Sequence, residues 1–195
     1  MLHYIVFLGA LVHLYGTWRY LKDTLLGGTK PNRVSFLFWA TAPLIAAAAE
    51  FADGVRWAVL PVFMSGFGPL LILLASFANK NAYWRLGTFD YLCGLFAALA
   101  LLLWWLTDEP SIAIGFAIVS DFSAALPTVK KSWTNPETET GISYATSLFS
   151  AATAFTAIQM WNFSAVAFPI YLVTQNAILL FAIYRRRLRN LQLPT

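Results

Sequence analysis

The amino-acid sequence predicts an all-α polytopic membrane protein: seven transmembrane helices arranged as two parallel three-helix bundles joined by a linker helix. Three observations lead there. Of 195 residues, 59% are hydrophobic and only 11% are charged, against roughly a quarter charged in a soluble domain. The apolar residues gather in stretches of membrane-crossing length at about 2–18, 33–50, 57–78, 87–107, 110–129, 142–161 and 165–185. Of the 13 Lys and Arg residues, all but Arg56 fall on one side of the alternation these stretches imply.

The middle stretch sets the arrangement. Residues 85–109, RLGTFDYLCGLFAALALLLWWLTDE, hold an uncharged run from Tyr91 to Leu106 that is closed by Asp108 and Glu109. With Gly87 to Phe89 it spans about 20 residues, or roughly 30 Å of helix, which is a bilayer's hydrocarbon thickness. Three stretches precede it and three follow. An odd helix between two triplets makes the second triplet enter the membrane from the same face as the first, so the triplets are parallel repeats about an axis along the membrane normal. The chain divides into 1–84 as the first bundle, 85–108 as the linker helix, and 109–195 as the second bundle with a basic tail. The connections are too short to fold separately, so this is one membrane domain. A shift of 108 residues lays Lys130 over Lys22, Ser143 over Ser35 and Pro169 over Pro61. The identities stay close to chance, and the repeat is carried by matching span and loop lengths.

No Lys or Arg precedes Arg19, so the first stretch is expected to stay as a span and not to be cleaved as a signal peptide. The charge asymmetry places the N-terminus outside and the C-terminus in the cytoplasm, in the cell (inner) membrane. The net charge of +4 lies at helix ends, where it sets topology; nucleic acid is not an expected partner. Arg185, Arg186, Arg187 and Arg189 read as anchors to lipid headgroups. Glu50, Asp53, Asp108 and Glu109 read as an acidic, solvated outer rim. Asp90, at the start of the linker helix, is expected to cap that helix or meet Arg85. Self-association into a homo-oligomer is compatible with all of this.

Asp121 and His13 are the ionisable residues deepest inside spans, and the 108-residue shift makes them counterparts across the central axis. A carboxylate inside a membrane costs about 2.5–3.5 kcal/mol on insertion scales, so it faces a cavity, pairs, or takes a proton. The functional reading is proton coupling through Asp121 and His13. The structural reading is a hydrogen bond from Asp121 to Ser120, Ser123 or a neighbouring helix, with His13 a satisfied interior imidazole. Gln175 and Asn176 are adjacent on the last span, about 100° apart, so one of them is expected to line a cavity; interhelical hydrogen bonding is the other reading. Ser143, Ser147, Ser150 and Ala154 recur on one face of the sixth span, as substrate contacts or as small residues for close helix packing. Trp39, on the overlaid face of the second span, is a stacking platform or a packed indole.

The stretch SDFSAALPTVKKSWTNPETETGISYATSLFSAATAF, with a helix ending near Pro127, a basic loop, and Gly141, Ile142 and Ser143 opening the next helix, resembles the PQ-loop and MtN3/SWEET transporters. VTQNAILLFAIYRRR is similar to their last helix. The resemblance implies the three-one-three fold, alternating access between the two bundles, a sugar or other small polar metabolite as substrate, Asn176 as the residue facing it, and Pro43 and Pro127 as gating hinges. The sequence departs from the pattern at Thr128, which stands where the motif has Gln, and at Gly68, which overlies Asn176. The PnuC-type vitamin carriers share the plan, although Trp104 and Trp105 are adjacent where that family has Trp-x-x-Trp.

No Lys lies in the core of a span, which excludes a retinal Schiff base, and there is no Gly-rich phosphate loop or catalytic triad motif. The single Cys93 excludes a disulfide framework and a Cys metal cluster. The expectation is a transporter and not an enzyme, with a small-molecule substrate, membrane lipids around it, and neither cofactor nor metal. The substrate residues are Asn176, Gln175, Trp39, Ser147 and Ser150. A vitamin carrier, or a non-transporting lipid-binding or sensory module, is the alternative.

Overall fold

The computed structural model describes residues 4–106 and 109–191, with side chains for all of these but Pro110 and residues 186–191. It is all-α, with helices α1 (Ile5–Leu25), α2 (Arg33–Ala52), α3 (Val59–Ala78), α4 (Thr88–Trp105), α5 (Pro110–Thr134), α6 (Gly141–Thr153) and α7 (Phe163–Leu191). Asp108 of the expected rim, and the side chains of Arg186, Arg187 and Arg189, lie outside the described residues.

Five helices, α2 to α5 and α7, are long and apolar enough to cross a membrane. The remaining two fall short for different reasons. α1 has the length, at 21 residues, but carries Arg19, Lys22 and Asp23 in its last two turns, which lowers its mean hydropathy. α6 has only 13 residues, about 20 Å of helix, where a span over 142–161 was expected. The early stop has a local cause: the Thr153 hydroxyl donates to the Ser150 carbonyl at 2.6 Å and Thr156 to the Thr153 carbonyl at 2.7 Å. Such back-bonding competes with the α-helical ladder, and the chain tightens into a 3-10 turn at Ala154–Thr156. At the other extreme, α5 runs five residues past its expected end and takes Lys130 and Lys131 into the helix.

The helix starts are chemically specified. The Asn32 side chain accepts from the Val34 and Ser35 amides, capping α2. Asp90 accepts the Gly87 N–H at 2.6 Å, capping α4 as expected, and its second oxygen accepts from Asn32 Nδ2 at 2.6 Å. One hydrogen-bond chain thus ties the starts of α2 and α4 together.

Packing follows a repeating rule. α3 lies between α1 and α2, α7 lies between α5 and α6, α1 packs on α6 and α2 packs on α5. Exchanging α1, α2, α3 for α5, α6, α7 leaves these relations unchanged. The contacts also give direction. Gly9 faces Thr153 while Gly16 faces Thr146 and Ser143, so α1 and α6 are antiparallel. Ser35 meets Thr128 at one end of α2 and Ala46 meets Ala117 toward the other, so α2 and α5 are antiparallel as well. α5 and α7 run the same way, with Ser111 beside Ser164 at one end and Trp133 beside Arg185 at the other. α4 is peripheral: 28% of its span is buried, against 50% for α2, α3 and α5, and Leu92, Leu95, Phe96, Leu99 and Leu103 are exposed along it. An apolar exterior around buried polar groups is the pattern a lipid solvent dictates.

Candidate functional site

The space between the two sets of three helices holds a small central cavity of about 50 Å³. α1 contributes His13, Thr17 and Tyr20; α2 contributes Phe36 and Trp39; α3 contributes Ser65, Pro69 and Ile72. From the other half come Asp121 of α5, Ser143, Tyr144 and Ser147 of α6, and Leu172, Gln175, Asn176 and Leu179 of α7. Seven of the residues singled out in the sequence, His13, Trp39, Asp121, Ser143, Ser147, Gln175 and Asn176, therefore share one cavity although 163 positions separate the first from the last. The helical faces explain why. His13, Thr17 and Tyr20 recur at i, i+4 and i+7 on α1, and Ser143 and Ser147 at i and i+4 on the opposing short helix.

Ser150, Pro43 and Pro127 are not among the lining residues. Ser150 is buried against neighbouring helices with its hydroxyl unpaired among the described residues. Pro43 and Pro127 sit inside unbroken helices α2 and α5, and each removes a backbone donor there; Pro69 in α3 and Pro169 in α7 do the same in the other two. The small-residue face of α6 is a packing face at its edges, because a Cβ added at Gly9 or Gly16 of α1 would strike Thr153 or Thr146.

Asp121 is 1% exposed. Its partners are neither Ser120 nor Ser123. Tyr171 Oη donates to Asp121 Oδ2 at 2.6 Å and Gln175 Nε2 donates to the same oxygen at 2.8 Å. Gln175 and Asn176 both border the cavity, contrary to the expectation of one, and Asn176 turns its amide back to donate to the Leu172 carbonyl at 2.8 Å. Across the cavity, His13 Nδ1 and Ser147 Oγ share a hydrogen bond of 3.3 Å.

The floor of the cavity, toward the basic face, is a cluster that sequence reading missed. Tyr20, Phe36, Trp39 and Tyr144 form a closed cycle of rings with centroid separations of 5.3, 5.3, 6.3 and 6.4 Å. Both tyrosine hydroxyls donate to Glu139 Oε2 at 2.7 Å, and Glu139 Oε1 pairs with Lys131 in full burial. Lys131 Nζ also donates to the Lys30 carbonyl at 2.6 Å. This cluster joins α1, α2, α5, α6 and the α1–α2 loop. The opposite end is closed by Ala42, Ala46, Val62, Ile114, Ala117 and Phe168, which are all apolar. Of the expected acidic rim, Glu50 is in fact 1% exposed, turned inward at the end of α2. Arg185 is likewise no free lipid anchor, since its guanidinium stacks 3.8 Å from the Trp133 ring and donates to the Trp133 carbonyl at 2.6 Å.

Fold and site define a helical, membrane-type protein built around a cavity of mixed polar and apolar lining, whose one end is locked by hydrogen bonds and whose other end is closed by packing. No family model, no curated protein and no solved structure matches the chain.

Proposed function

We propose that the chain is a small-molecule membrane transporter of SWEET-like plan, with seven spans in two parallel three-helix bundles, 1–84 and 109–195, that rock about the central cavity. The observation that carries this reading is the cavity itself. It lies on the pseudo-symmetry axis, is lined by polar groups of both halves, and is shut at its two ends by different means. Alternating access needs a central site with a closure on each side, and the Glu139 cluster is the closure on the basic, cytoplasmic face. Asp121 and His13, at equivalent places in the two halves, are the groups through which a proton gradient would be coupled, and Pro43 and Pro127 are the flexible points of α2 and α5.

The test does not need the substrate. In a Cys93→Ala background, which removes the one native thiol, Ser147→Cys places a reporter in the cavity wall. A membrane-impermeant thiol reagent is expected to label it from either face of oriented vesicles. Labelling from neither face means a sealed interior, and the chain is then a non-transporting membrane module.

A further inference from the structure

Two buried polar atoms on the cavity wall have no partner within the protein among the described residues: Trp39 Nε1, a donor, and Asp121 Oδ1, an acceptor. They are the repeat counterparts of Ser147 and His13, which bond each other. The same helix pairing is thus closed in one half and left open in the other. Unpaired buried donors and acceptors are costly and rare. A hydroxyl carries both complementary functions, an acceptor for an indole N–H and a donor for a carboxylate.

The charge of the lining narrows the class further. Asp121 is its carboxylate, and no Lys or Arg is among its residues. Tyr171 and Gln175 both bond Oδ2, which leaves Oδ1 without a partner among the described residues. The rings of Tyr20, Phe36, Trp39 and Tyr144 line the same cavity. Ring faces next to a carboxylate attract organic cations. An α-amino acid would bring a second carboxylate for which the lining offers no cation.

Resting on the transport reading of the cavity, we propose that its substrate is a small hydroxylated organic ammonium ion. The hydroxyl bridges Trp39 Nε1 and Asp121 Oδ1, and the cationic head lies against the rings. A proton on Asp121 and the ammonium ion are then alternatives on one carboxylate: the cation leaves as a proton arrives, and the two are exchanged in opposite directions. The other titratable groups sharing the cavity are His13, Tyr20 and Tyr144, with Tyr171 bonded to Asp121 directly; α2 contributes Phe36 and Trp39 there, and α4, the remaining neighbour of α5, contributes none of the lining.

The probes are choline and its neutral isostere 3,3-dimethylbutan-1-ol, titrated calorimetrically into the full-length protein. Choline is expected to bind at least about tenfold more tightly than the isostere, to release protons on binding, and to weaken by up to about tenfold per pH unit on acidification. Asp121→Asn is expected to abolish this preference with thermal unfolding unchanged, and Trp39→Phe to weaken choline severalfold. Equal binding of the isostere, or choline binding that ignores pH and Asp121, overturns the proposal. So does a neutral polyol that crosses vesicles by way of this protein while choline does not bind, an outcome that leaves the transport reading standing. Choline binding with the proton signature but no flux of any probe upholds the cation site and removes the transport reading.

Discussion

Glu139 carries the most consequence of any side chain outside the cavity. Its carboxylate is fully buried between the Lys131 ammonium and two tyrosine hydroxyls. Removing one member of a buried ion pair leaves the other unmatched, at a cost of about 3–5 kcal/mol, while replacing both by apolar residues is often neutral. Glu139→Leu is therefore expected to lower the unfolding temperature steeply, and Lys131→Met with Glu139→Leu to recover most of the loss. A double variant no better than the single one, measured by thermal unfolding in detergent, would show that the tyrosines and not the ion pair hold the cluster. The sequence hides this residue for a physical reason. A glutamate in the polar run NPETET reads as solvated, and its partner Tyr20 is 119 positions away. Asp121 and His13 are legible because a charge inside an apolar run demands an explanation wherever the run folds. Their own contacts are not legible, since Tyr171 looks like an interfacial aromatic until α7 is laid beside α5.

The interface of α1 with α6 shows how elements are held where hydrophobic burial cannot drive association. In lipid, helices associate by close packing, and Gly9 and Gly16 let Thr153 and Thr146 approach the α1 backbone. A Cβ at Gly16 would also meet the Ser143 backbone 3.1 Å away, which cannot rotate aside, whereas one at Gly115 of α5 meets nothing within 4 Å. Gly16→Ala is expected to destabilise the protein by about 1–3 kcal/mol, as overpacking does. Gly115→Ala is expected to be neutral or to stabilise by up to about 1 kcal/mol through helix propensity. Equal effects in thermal unfolding would mean that α1 and α6 can separate freely. The positions of α2 to α5 and α7 were legible from hydropathy because apolar residues dominate each stretch. The end of α6 was not, since apolar content over 142–161 is the same whether or not Thr153 and Thr156 break the ladder.

For the molecule as a whole, the question is whether α6, at 13 residues, brings the chain across the membrane. Helix directions bear on it. α5 and α7 run the same way, so the chain between them must return to the face where α5 began, and α6 with its 3-10 turn is the route. The segment beyond it reaches the level of the α2–α3 connection: Ala157 packs with Val6 and Ala58, and residues 157–160 share a groove with Asp53–Arg56. Irregular backbone at that depth is tolerated because protein covers it; Ala154 and Ala157 are buried. The seven-span reading then puts residues 54 and 160 on one face, and residues 81 and 137 on the face with nearly all the basic residues, which belongs in the cytoplasm. All four positions are exposed. With Cys93 replaced, single cysteines at Gly54 and Met160 are expected to react together with an impermeant reagent applied outside intact cells. Cysteines at Asn81 and Glu137 are expected to react only after the membrane is opened. If Met160→Cys behaves like Glu137→Cys, α6 does not cross, the two sets of three helices no longer share an orientation, and a rocking mechanism between parallel repeats is lost with them.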